Sequence, residues 1–261
     1  MRYKVTLSYD GSGFCGWQLQ DNAPSVQACL EDALGKLLGG PVRVTGAGRT
    51  DTLVNACGYV AHFDTDSRPD PKGLAYKLNA ILPRSIVVSD IEEAADDFHA
   101  RFSAVRREYT YFLHRVKDPF AEKYSWRCGY ELDLGAMNEA AALLDGTHDF
   151  SCFEKSGGDN KTSNCTVFEA HWVPYIPTHI SVMGGSGEYY YFRIAADRFL
   201  RNMVRAIVGT LVDVGRGRRS IEEFASLILP PGGPDEPRTS RRSRSGESVP
   251  GHALFLSKIE Y

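Results

Sequence analysis

A chain of 261 residues with 43% hydrophobic content can bury one large core or two of ordinary size, which excludes a disordered or fibrous class. Its formal net charge of −3 offers no bulk attraction for polyanions, so a nucleic-acid partner would have to be met by local clusters of charge. Six scattered cysteines without a Cys-x-x-Cys pair, and seven histidines without ligand spacing, call for neither a disulfide framework nor a metal.

In chain order, "MRYKVTLSYDGSG" alternates polar and apolar residues from its first positions and carries no apolar leader. No later segment reaches the roughly eighteen uninterrupted apolar residues of a membrane span, so a cytoplasmic protein without membrane contact is expected. The period-two run "RYKVTLSY" predicts a strand over residues 2–9. "SVQACLEDALGKLLG" then places Val26, Leu30, Leu34 and Leu37 at helical spacing behind Ser25, a helix N-cap residue. "VRVTGAG" and "GYVAHFD" read as strands around a polar loop, "PKGLAYKLNAIL" as a second helix and "SIVVSDIEEA" as a fourth strand. This β-α-β-β-α-β order is the ferredoxin-like arrangement.

From about residue 104 the pattern restarts. "RREYTYFLHR" is a strand, "LGAMNEAAALLDG" a helix, "CTVFEAHWVPY" and "EYYYFRIAAD" are strands, "FLRNMVRAIVGTLVDVG" is a helix and "ALFLSKIEY" a closing strand. The expected class is α+β: two ferredoxin-like (RRM-like) halves, residues 1–103 and 104–261, of mixed or antiparallel sheet with helices on one side and a ligand cleft between them. The segment from 230 to 251, rich in Pro, Gly, Ser and Arg, reads as a long loop. Arginines gather from Arg193 to Arg219 and again over 238–245, whereas acidic residues concentrate over 90–97, so distinct charged faces are expected.

Three places could carry chemistry. In "GAGRTDTLVNACG" (46–58), Asp51 follows a strand in a glycine-preceded loop, where a carboxylate can serve as nucleophile, base or electrostatic stabiliser, although aspartate is also an ordinary turn residue. On a helix spanning 199–213, Arg198, Arg201 and Arg205 would form one stripe and Phe199, Met203, Ile207 and Thr210 another; an arginine of that stripe could keep Asp51 ionised. On the strand "RREYTYFLHR", Arg107, Tyr109 and Tyr111 share a face, with Tyr111 better suited to core packing and Tyr109 to stacking on a base. The adjacent His148 and Asp149 read as a structural turn, because neighbouring residues seldom point the same way.

Taken together, "YDGSGFCGWQLQ", "GAGRTDTLVNA", "FHARFSAVRREYTY", "GTHDFSCF", "RNMVRAIVGTLVDVGRG" and "GESVPGHALFLSKIEY" resemble, in the same order and over almost the whole chain, the tRNA pseudouridine synthase A family. The resemblance implies conversion of uridines 38, 39 and 40 of the tRNA anticodon stem-loop to pseudouridine, without cofactor or metal, by a homodimer that holds one tRNA across both subunits. It implies that Asp51 is the nucleophile and that Arg49 fills the space of the everted base. It further implies that Tyr109 stacks on the target uracil and that Arg205 pairs with the aspartate; Arg107 is placed beside Tyr109 as a substrate contact. The family's pattern is mostly Gly-Arg-Thr-Asp-x-Gly-Val-His-Ala, from which Leu53 and Asn55 depart, as Asn202 and Ala253 do from a common histidine and glycine. A fold-retaining tRNA-binding chaperone with impaired catalysis is the alternative such departures raise.

Overall fold

The alternation at the start of the chain becomes strand β1 (Arg2–Tyr9), in which Tyr3, Val5, Leu7 and Tyr9 are buried and the residues between them are partly exposed. The computed structural model describes residues 1–155, 161–231 and 241–261. Its contacts divide the chain into one unit of Met1–Val105 with Phe255–Tyr261 and another of Arg106–Leu254. Among the described residues there are ten strands, mostly paired antiparallel, and six α-helices, an α+β content. No helix among them is long and apolar enough to cross a membrane.

The first unit continues with α1 (Val26–Leu38), β2 (Val44–Gly46), β3 (Asn55–Asp64), α2 (Pro71–Ile81) and β4 (Ile86–Ala94). Strand β1 lies between β3 and β4 and is antiparallel to both. The other edge of β3 is shared: β2 pairs with its far half, Val44 opposite Phe63, and β10 (Leu254–Glu260) runs parallel to its start, Phe255 opposite Asn55. Both helices begin where a short side chain satisfies a first-turn amide. Ser25 Oγ accepts from Ala28 N, and Asp70 Oδ2 from Gly73 N at 2.9 Å, with Pro71 at the position that has no amide to lose. Buried Val26, Leu30 and Leu34 form the inner stripe of α1, while Gly39, at φ +79°, ends it.

On β3, His62 is 5% exposed, and its Nδ1 accepts the Ala100 amide at 3.1 Å. Burial, with help from the Arg2 charge and His99 and against Asp64, lowers its pKa to about 4. The folded state therefore favours the neutral ring. That preference is fully present above the unfolded value near 6.5 and is lost as pH falls through about 4, a swing of roughly 2–4 kcal/mol. An NMR titration should find the His62 ring still neutral at pH 5, and a His62→Asn variant should lose less stability than wild type between pH 7 and 4. A midpoint near 6.5 would refute the assignment.

The second unit comprises β5 (Arg106–His114), β6 (Trp126–Arg127), α3 (Leu134–Ala142), β7 (Gly146–Asp149), β8 (Asn164–Tyr175), α4 (Thr178–Val182), β9 (Tyr189–Ala196), α5 (Met203–Gly215) and α6 (Ile221–Ala225). Strands β5, β9, β8 and β7 neighbour one another in that order, each pair antiparallel, and β6 adds a short parallel pairing to β5. Helix α5 is apolar nearly all round, "MVRAIVGTLVDVG", and is correspondingly buried along most of its length against α3 and α6.

Three expectations need correction. The helix predicted from residue 199 begins only at Met203, because Asn202 sits in the left-handed region at φ 64° and breaks the helical path. Arg198 and Arg201 therefore precede the helix, and the three-arginine stripe does not form; Arg205 alone of the three is helical. The closing strand β10, expected to complete the second half, instead groups from Phe255 onward with the first unit. The basic loop also changes character where it is described: residues 232–240, Arg238 among them, lie outside the described residues. Arg241 is buried, donating to Ser151 Oγ at 3.0 Å and lying 3.8 Å from Asp149, and Arg242 reaches Ser245, Ser248 and the Gly246 carbonyl. These two arginines brace their own fold. His148 contacts the Asp145 carbonyl through Nε2, and the Asp149 carboxylate accepts Ser151 N, so the pair is structural, but as part of strand β7 and not of a turn.

Candidate active site

The loop that joins β2 to β3 carries Arg49 and Asp51, and its shape follows from what lies beneath it. Thr50 is buried, its Oγ1 2.9 Å from the Tyr9 hydroxyl, while Arg49 is exposed and Asp51 partly exposed. The inward threonine explains the order Arg-Thr-Asp: an anchor between two residues leaves both of its neighbours accessible. Beneath the anchor, Trp17 stacks on Tyr59 with ring centroids 4.1 Å apart, and Tyr9 meets Tyr59 at 5.7 Å. The Tyr59 hydroxyl donates to the Gly48 carbonyl. Gly46 is required here by close approach, since a Cβ would overlap the Tyr59 hydroxyl and lie 2.5 Å from Trp17 Nε1.

A second loop, residues 10–17 of the "YDGSGFCGW" stretch, cradles the first. Trp17 N donates to Thr50 O at 3.4 Å, Leu53 N to Phe14 O at 3.4 Å, and Gly11 N to Asn55 Oδ1 at 2.8 Å. Gly16, at φ +91°, lies so close to the Thr50 carbonyl that no side chain would fit. Within the loop itself Val54 N donates to Asp51 O at 3.1 Å, closing a turn directly after the aspartate. Reasoning from sequence missed this scaffold; the closely spaced glycines and tryptophan of residues 11–17 were its signal.

The two departures in this loop acquire physical meaning. Leu53 adopts φ 68°, the conformation that a glycine takes without cost, and is 38% exposed. Asn55 is buried and serves as the acceptor that ties the loop to Gly11. A left-handed leucine costs about 1–2 kcal/mol, against roughly 0.5–1 kcal/mol of extra chain entropy for glycine, so Leu53→Gly should raise stability by up to about 1 kcal/mol. Leu53→Val should lower it, because a β-branched residue fits that region worse. Urea unfolding that ranks valine above leucine would contradict the strained turn.

The remaining predicted residues lie in the second unit. Tyr109 on β5 is partly buried and meets Phe199 edge-to-face, centroids 5.0 Å apart, which leaves its ring oriented by an aromatic wall. Arg107, two residues earlier, donates through Nη1 to Asp197 O at 2.8 Å. Tyr111 is fully buried, and its hydroxyl donates to Pro250 O at 3.1 Å. Burial pushes the Tyr111 hydroxyl well above its ordinary pKa, with the Arg205 charge opposing, so it stays protonated. Arg205 Nε donates to Val249 O at 2.7 Å while Val249 N donates to Arg205 O at 3.3 Å. Consecutive carbonyls of the "GESVPG" segment thus hold Arg205 and Tyr111. That segment crosses α5 closely: Gly246 N donates to Thr210 Oγ1 at 2.9 Å, and Asn202 Nδ2 to Ser248 Oγ at 2.5 Å.

The structure therefore gathers Arg49 with Asp51 on one built loop, and Tyr109, Arg107 and Arg205 with their supports in the other unit. The profile of a family described as tRNA pseudouridine synthase matches residues 140–261. Over the full chain, the sequence is 44% identical to tRNA pseudouridine synthase A of Porphyromonas gingivalis, covering 100% of this chain and 97% of the relative. It is 43% identical to the enzyme of that name from Bacteroides fragilis, covering 100% and 96%, and 44% identical to that of Bacteroides thetaiotaomicron, covering 100% and 90%. With identity at this level over the whole chain, the chain belongs to the tRNA pseudouridine synthase A family.

Proposed function

We propose that this chain isomerises uridines 38, 39 and 40 of the tRNA anticodon stem-loop to pseudouridine, with Asp51 as nucleophile. As a member of its family it is an isomerase that converts uridine in tRNA to pseudouridine. The observation that carries the finer reading is the Arg49-Thr50-Asp51 loop, in which a buried threonine presents an arginine and a carboxylate side by side. In this reading the Asp51 carboxylate attacks the nucleotide and the N1–C1′ bond breaks. The uracil turns, a C5–C1′ bond forms as the bond to Asp51 breaks, the C5 proton leaves and N1 gains one. Reactant and product are isomers, so no outside reagent is consumed.

The other residues take the roles that this chemistry needs. A base within a stem must leave the stack before its sugar is reached, and Arg49 holds the vacancy. Tyr109, braced by Phe199, offers a π-face to the extruded uracil and assists loss of the C5 proton, with Arg107 contacting substrate beside it. Arg205, held by Val249, is the cation that pairs with the aspartate.

The same reading makes each half ferredoxin-like, the first unit bearing the aspartate loop and the second the arginine helix. For the first half it is supported by the strand neighbours β4-β1-β3-β2 and by two intervening helices. It also makes the enzyme a cytoplasmic homodimer. The test uses anticodon stem-loop RNAs carrying a single C5-tritiated uridine at position 38, 39 or 40. Tritium release from each is expected. Retained tRNA binding with no release from any would replace the enzyme with a tRNA chaperone, and release only from a control stem-loop labelled outside these positions would overturn the site assignment.

A further inference from the structure

Beyond the C-terminal end of α5, the chain reads Arg216, Gly217, Arg218, Arg219, part of the arginine-rich stretch that the catalytic reading leaves unused. The Arg216 guanidinium carbon lies 3.4 Å from the centroid of the Tyr130 ring, and that of Arg218 lies 5.8 Å from the same ring. Tyr130 is nonetheless 54% exposed, and Arg218 is exposed as well. Neither arginine is ion-paired among the described residues, unlike Arg106, Arg115 and Arg193, each of which has a carboxylate within 3.0 Å. Gly217, at φ +66°, makes the reversal that brings both guanidinium groups to one ring.

Two effects compete to explain this arrangement. Cations just past a helix C-terminus offset its dipole, which accounts for about 0.3–1 kcal/mol and for any positive residue there. It does not account for a planar guanidinium stacked on an exposed tyrosine, which fixes the direction of its N–H fork. A fork so oriented, without a carboxylate, on a protein of net charge −3, matches the charge and geometry of a phosphodiester. Along α5, Arg216 is eleven residues from Arg205, about 16 Å, a distance that one RNA substrate spans easily.

We propose that Tyr130, Arg216 and Arg218 form a phosphodiester-binding platform that grips the backbone of the substrate tRNA away from the reacting nucleotide. The inference rests on the reading of tRNA as substrate. Its residues position the RNA and take no part in bond making.

The test measures binding of a full-length tRNA transcript over a range of salt concentrations, with tritium release alongside. Each lost phosphate contact removes about 0.7–0.9 from the slope of log K against log salt, so Arg216→Gln with Arg218→Gln should flatten it by about 1.5. At low salt the double variant should bind roughly tenfold or more weakly, raising KM with kcat unchanged. Tyr130→Ala should weaken binding by releasing the fork. Arg216→Lys should recover the slope but not the full affinity. An unchanged slope, with only a lowered melting temperature, would overturn the platform and leave the helix-dipole role. Wild type failing to bind tRNA at all would instead overturn the substrate reading.

Discussion

Asp51→Asn should lower tritium release on the order of 10⁴-fold or more, while tRNA affinity and melting temperature should remain close to wild type. The substitution preserves size and hydrogen-bonding capacity but replaces the proposed nucleophile, a carboxylate, with an amide. The shape of the loop should survive, because it is carried by Thr50 on Tyr9, by Leu53 on Phe14 and by the Val54 amide on the Asp51 backbone carbonyl. A partly exposed side chain on such a frame contributes little to stability, within about 0.5 kcal/mol. Single-turnover release from a C5-tritiated stem-loop is the measurement. A variant that retains more than about one hundredth of the wild-type rate would remove Asp51 from the chemistry.

Gly209→Ala has the largest expected effect on the fold, and its sign is diagnostic. In an ordinary helix interior this change stabilises by about 0.8–1 kcal/mol. Here a Cβ at position 209 would overlap the Glu247 carbonyl, a backbone atom that cannot swing aside as a side chain could. The 246–250 segment must move off α5, so the net change should be a loss of about 2–4 kcal/mol and a melting temperature lower by about 5–10 °C. Displacing that segment also loosens Val249 and Pro250 from Arg205 and Tyr111. Activity should therefore fall beyond what the folded fraction explains. A more stable alanine variant would mean that the segment does not pack as described.

Local pattern reads well where one face of an element is buried and the other wet. Strand β1 and helix α1 with its Ser25 cap follow directly from spacing, because burial imposes the period that the sequence displays. Strands β6 and β7 and helices α4 and α6 are too short to show a period at all. The start of α5 was misplaced for a different reason: "FLRN" continues the helical spacing, and only the left-handed backbone of Asn202, fixed by its tertiary setting, ends it. Likewise, Arg241 looked like part of a basic surface because Ser151 and Asp149, which draw it inward, lie some ninety residues away in sequence.

At the site, the residue types and the two-residue spacing of Arg49 and Asp51 were legible, but the cause was not. The anchor for Thr50 comes from Tyr9, in another strand, and the floor from Trp17 and Tyr59. The family resemblance supplied roles for Tyr109 and Arg205. Their supports, Phe199 and the Val249 carbonyl, are contacts that only the folded chain reveals.

The parallel pairing of β10 with the start of β3 bears on how the enzyme is made. Asn55, four residues after Asp51, is partnered by Phe255, which the ribosome adds two hundred residues later. A nascent chain that has already emerged through α2 and β4 still lacks the strand that completes the edge beside its aspartate loop. The second unit, Arg106–Leu254, is synthesised in between. The sheet edge beside the aspartate therefore cannot close until β10 has been translated, after the whole of the second unit.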